Sequence, residues 1–144
     1  MIAVRRVAVV LLLLFLPAAY NVMADAITPA CMPPRQVVPV PFEHVPSVLL
    51  RSLSDRLGKV AEPGTSFNAT DVAGFWDVPF RRFNFFWTAG RRWVIATEHG
   101  GFVYNNPILV FALGEDQRDA VFIAERIASP NTVCAVASDL IASP

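Results

Sequence analysis

Apolar side chains recur along this chain with three spacings, and each spacing predicts a different element. The first is an unbroken run from Val7 to Leu16, preceded by Arg5 and Arg6 and followed by Pro17 and small residues up to Val22-Met23-Ala24. A basic start, a short apolar centre and a small-residue end are the parts of a secretory signal. The run is too short to cross a bilayer, which takes about 20 residues. It predicts a leader over 1–24 and an exported protein, secreted or periplasmic, that begins near Asp25 with no stable membrane insertion.

The second spacing is helical. Leu49, Leu50, Leu53 and Leu57 recur at intervals of three and four, while Arg51, Ser52, Asp55 and Arg56 fall off that stripe. Pro46 suits the first helical position, Gly58 a left-handed stop, and Pro63-Gly64 forbids continuation. Upstream, residues 25–46 hold Pro29, Pro33, Pro34, Pro39, Pro41 and Pro46. Each proline removes a backbone donor and fixes φ, so this arm is predicted to be extended and to have few ladder partners. It reads as a strap across the domain or as a recognition segment.

The third spacing is the alternation of strands. Phe83, Phe85 and Trp87 alternate with Arg82, Asn84 and Phe86, and Thr88-Ala89-Gly90 reads as a three-residue hairpin loop. That loop sets Trp93 opposite Phe85 and Ile95 opposite Phe83. One face then carries Phe83, Phe85, Trp87, Trp93 and Ile95; the other carries Arg82, Asn84, Phe86, Arg92 and Val94. Glu98–Gly101 turns the chain into a third strand over 106–113, with Pro107 at its start. Gly114–Gln117 leads to a fourth strand over 120–126. Ser129 and Pro130 open a short final helix with Val133, Val136, Ala137 and Leu140 on one stripe.

The fold class is therefore α+β: an antiparallel meander of about four strands, one N-terminal amphipathic helix and a short C-terminal helix. The layout is a leader (1–24), a proline-rich arm (25–46) and a single α+β domain (47–144). Helices stacked on one face of such a sheet leave the other partly in water.

Composition narrows the function classes. Lys plus Arg and Asp plus Glu number 12 each, and Arg5 and Arg6 lie in the leader, so the remainder is slightly acidic. That balance excludes nucleic acid as a partner. The two cysteines, Cys31 and Cys134, are predicted to form a structural disulfide in an oxidising compartment, tying the arm to the last helix. Thr28-Pro29-Ala30 is a poor lipid-attachment signal before Cys31. Asn68-Ala69-Thr70 matches the glycosylation sequon, a motif with many chance occurrences.

Chemistry is sparse. Glu43-His44 and Glu98-His99 are neighbours in sequence, but adjacent strand residues point to opposite faces and make no dyad. No metal-ligand spacing and no nucleophile motif is present, and no cofactor is implied. Arg81, Arg82, Arg91 and Arg92 bracket the aromatic hairpin, which gives Arg82, Arg92 and Phe86 as candidate binding residues on the open face. The simpler reading, and the favoured one, is solvated arginines whose stems cover aromatic edges. His99, Phe102, Tyr104 and Asn105 lie in an aromatic, amide-rich segment after Gly100-Gly101, suited to sugars or partner proteins. The plainer reading extends the third strand through Phe102 and Tyr104. The leading expectation is an exported, non-catalytic binding or accessory protein whose partner is another exported protein or a cell-envelope component. The alternatives are a small exported hydrolase using His99 with a carboxylate, Asp77 among the candidates, and a structural envelope protein.

Overall fold

A computed structural model describes residues 30–70 and 78–143. The leader, Phe75, Trp76 and Asp77 lie outside the described residues. Five strands form one antiparallel sheet in sequence order: β1 (Val38–Pro39), β2 (Arg81–Ala89), β3 (Arg92–His99), β4 (Asn106–Leu113) and β5 (Ala120–Ala128). Two helices complete the fold, α1 (Ser47–Leu57) and α2 (Val133–Ala142). The expected α+β meander is present, with a short fifth strand contributed by the proline-rich arm.

Local chemistry explains most element boundaries. Pro46 stands one position outside α1, and Gly58 ends it at φ 73° with its N–H bonded to the Ser54 carbonyl at 2.8 Å. Ser129 opens a turn rather than α2 itself. Its carbonyl accepts from Thr132 and Val133 N–H, its own N–H donates to Thr132 Oγ1, and the helix starts at Val133.

The hairpin differs from expectation in register. Ala89 pairs with Arg92 across a two-residue Gly90-Arg91 turn, Phe86 with Ile95, and Phe85 with Ala96. Gly90 sits at φ 61° and Arg91 has no positive φ. A glycine first in a two-residue loop matches the strand twist better than the expected three-residue loop. A bulge then leaves Asn84 unpaired between Phe83 and Phe85. One extra residue inverts the alternation beyond it. Phe83 and Phe86 consequently share one face, 5.1 Å between ring centres, while Phe85 stacks on Trp87 at 4.5 Å on the other.

The aromatic residues thus feed two cores. On one face Phe83, Phe86, Trp93, Ile95, Leu109 and Phe111 pack with Leu49 and Leu53 of α1. On the other, Trp87, Val94, Ala96, Ile108 and Val110 pack with Val133, Ala137 and Ile141 of α2. The helices lie on opposite faces, so the expected open face is absent and β2–β4 are covered on both sides. Each fully buried Leu, Ile or Phe contributes about 1.5–3 kcal/mol relative to exposure.

The arm behaves as a strap. The Cys31–Cys134 disulfide fastens it to α2. Val37 packs into the α2-side core, Val38 and Pro39 pair with Thr88 and Trp87, and Val40 and Phe42 pack into the α1-side core. The chain therefore wraps around the β2 border from one face of the sheet to the other. No helix among the described residues is long and apolar enough to cross a membrane.

Candidate functional site

The hairpin register brings Arg82 opposite Glu98. Both are buried, and Arg82 Nε and Nη2 each donate to Glu98 Oε2, Nε at 2.8 Å. Arg82 also donates to the Thr65 carbonyl at 3.1 Å and lies over the Phe67 ring. Glu98 Oε1 has no hydrogen-bond partner among the described residues. A buried pair of this kind loses desolvation energy that its attraction only partly offsets, whereas removing one member strands the other charge. Arg82 thus organises the interior and is not on the surface. Phe86 is likewise a core residue, and Arg92 is half-buried against α2, its Nε donating to the Leu140 carbonyl at 3.0 Å. The expected arginine–aromatic face does not assemble.

His99 stands opposite Arg81 across the hairpin, and no carboxylate among the described residues forms an ion pair with it. Burial first and the Arg81 charge second hold its imidazole below its ordinary range. A carboxylate partner would push the other way. Asp77 lies outside the described residues. No group of three His, Cys, Asp or Glu side chains among the described residues is placed to hold a metal.

The segment between β3 and β4 is where the expected residues do meet. His99 and Asn105 exchange backbone bonds, His99 N–H to Asn105 O at 2.9 Å and Asn105 N–H to His99 O at 3.2 Å, which closes the base of a turn. Gly100 fits tightly against the chain at Asn68-Ala69: a Cβ there would stand 2.1 Å from the Asn68 carbonyl oxygen. Its N–H donates to Phe80 O at 2.9 Å, and Gly101 N–H donates to Ala69 O at 3.3 Å. Asn105 Nδ2 donates to the Val103 carbonyl at 3.0 Å, and Tyr104 turns inward against Phe67. Asn106 Nδ2 holds Thr97 O at 3.2 Å just beyond.

With the base locked, the tip faces water. Phe102 is 96% exposed and Val103 is 74% exposed, so neither contributes to either core. Phe102 and Tyr104 therefore form a turn and do not extend β4. Phe80, whose carbonyl accepts from Gly100 N–H, is also exposed. Sequence reading missed Val103. The available signal was the bracket of Gly100-Gly101 and Asn105-Asn106 around three consecutive apolar residues, a stretch too short for a strand. The sequon at Asn68 faces inward: its Nδ2 is buried and its Oδ1 accepts from Thr70 N–H at 3.0 Å and Thr70 Oγ1 at 3.1 Å. Comparison with protein-family models, with curated proteins and with solved structures finds no match for this chain.

Proposed function

We propose that the protein is an exported, non-catalytic binding protein that engages another exported protein or a cell-envelope component through the turn spanning residues 100–105. The observation that carries this reading is the pairing of a fixed base with an apolar tip. Phe102 and Val103 sit in water on a turn held by the His99–Asn105 bridge, the Gly100 contact and the inward Tyr104. Exposed apolar groups that pack nothing internally suit a partner, and a preordered turn lowers the cost of binding. The Cys31–Cys134 disulfide supports export, because such bonds persist in oxidising compartments.

The test is capture from the exported fraction of the producing cells, using the protein and a Phe102→Ser/Val103→Ser variant. Two exposed substitutions should change stability by no more than about 0.5 kcal/mol each. Loss of capture with an unchanged unfolding transition supports the reading. Retained capture by that variant, or a hydrolytic activity that disappears in His99→Ala, overturns it.

A further inference from the structure

The two borders of the sheet are finished differently. Along β2, Val40 N–H donates to Phe86 O at 2.8 Å, Ala61 N–H to Arg81 O at 2.8 Å, and Phe83 N–H to Ala61 O at 2.9 Å. Along β5, no backbone group bonds outside the β4 ladder among the described residues. Val121, Ile123 and Ile127 are exposed on β5. A bulge removes Ile123 from the ladder, but Ala124–Ala128 pair in unbroken register with Val110–Asn106. Every second residue of that stretch turns its N–H and C=O away from β4, a regular set of unpaired donors and acceptors that is the template for strand addition.

Charge on that stretch selects the occupant. Glu125 already holds Arg56 at 3.4 Å, and the Arg56 guanidinium lies over the Phe122 ring. Arg126 has no ion-pair partner among the described residues and is exposed. A second copy of β5 would add antiparallel about a two-fold axis, which places each residue opposite its own mirror position. Centred on Arg126 it sets arginine against arginine, centred on Glu125 glutamate against glutamate, and centred on Ile127 it sets Arg126 against Ala128, so no two-fold register of β5 gives Arg126 a carboxylate opposite. Like charges directly opposite are destabilising, and opposite charges favourable.

We propose that the β5 border takes an extended segment of another exported chain as a sixth strand, with a carboxylate facing Arg126 and an apolar side chain facing Ile127. This surface is separate from the turn at Phe102, and its failure would leave the reading of that turn intact. Alternation sets Arg126 on one face and Glu125 and Ile127 on the other, so the segment alternates in step. In antiparallel order, a segment that meets these requirements opposite Ala128 to Ala124 reads Thr-Val-Asp-Thr-Val.

The experiment titrates the 15N-labelled protein, as isolated from the producing cell, with a cyclic hairpin peptide whose outer strand reads Thr-Val-Asp-Thr-Val. A matched peptide carries Lys in place of Asp. The expected result is saturable shifts of the Ala124–Ala128 amides, with the Asp peptide about five-fold tighter than the Lys peptide. In Arg126→Glu that preference should invert. Absent or non-saturable shifts, shifts elsewhere, equal affinity for both peptides, or self-association through β5 without peptide would each overturn the proposal.

Discussion

The border at β2 and the border at β5 flank the same sheet, yet one is wrapped and the other bare. Covering β2 takes the disulfide at Cys31, the β1 ladder at Val38–Pro39 and the bridge from Ala61 to Arg82. β5 ends instead on Ile123 and Ile127 in water. Exposed strand borders invite unwanted pairing, and a short covering strand is a common defence. The contrast ties the strap to stability and leaves apolar side chains exposed at β5 and at Phe102–Val103, where the proposed partners would bind.

The largest effects should come from the wrapped side. Trp87 lies fully buried where Pro39 pairs with it, so Trp87→Ala should cost about 3–5 kcal/mol in denaturant unfolding. The disulfide closes a loop with a sequence separation of 103. Cys134→Ser should therefore cost about 2–5 kcal/mol, the chain-entropy limit being about 4.7. A loss under about 1 kcal/mol would mean that the strap holds through Val37, Val40 and Phe42 alone.

On the bare side the same measurement should read almost nothing. Ile127 is 62% exposed, so Ile127→Ala should stay within about 0.5 kcal/mol of the parent. A cost near that of Trp87→Ala would show that β5 is covered in solution and would break the contrast.

The smallest effect is a pH slope. His99 is half-exposed, and burial together with Arg81 lowers its folded pKa from the ordinary 6.5. The unfolded chain then binds more protons than the folded one as pH drops below that ordinary value. The stability held by neutral His99 is complete above it and is lost as pH falls through the lowered folded value. Unfolding midpoints between pH 7 and 5 should fall slightly less in His99→Gln than in the parent. An identical decline would remove His99 as a contributor.

Much of the frame was legible in local patterns. The leucine spacing located α1, Asn106–Leu113 emerged as β4 with the expected ends, and two cysteines after a leader-like start identified the disulfide. Register was not legible, because Thr88-Ala89-Gly90 and Gly90-Arg91 both satisfy hairpin chemistry. The bulge at Asn84 leaves no mark in simple alternation, yet it decides which aromatics share a face. The stripe on α2 likewise shows that the helix packs, but not on which side of the sheet. Arg82 looked solvent-facing because its burial depends on Glu98, sixteen residues on and opposite only in the true register. The turn proposed to bind was half legible: Phe102, Tyr104 and Asn105 stood out, while the close approach of Gly100 to Asn68 is a tertiary contact.

Amide hydrogen exchange tests the central contrast most directly, because it reads each border donor separately. Val40, Ala61 and Phe83 donate into the wrapped border and should exchange slowly, close to the rates of core amides. Along β5, the amides that point away from β4 should exchange rapidly, alternating with slow ones that bond across the ladder. Uniformly slow exchange throughout Ala120–Ala128, or rapid exchange at Val40 and Ala61, would contradict the account.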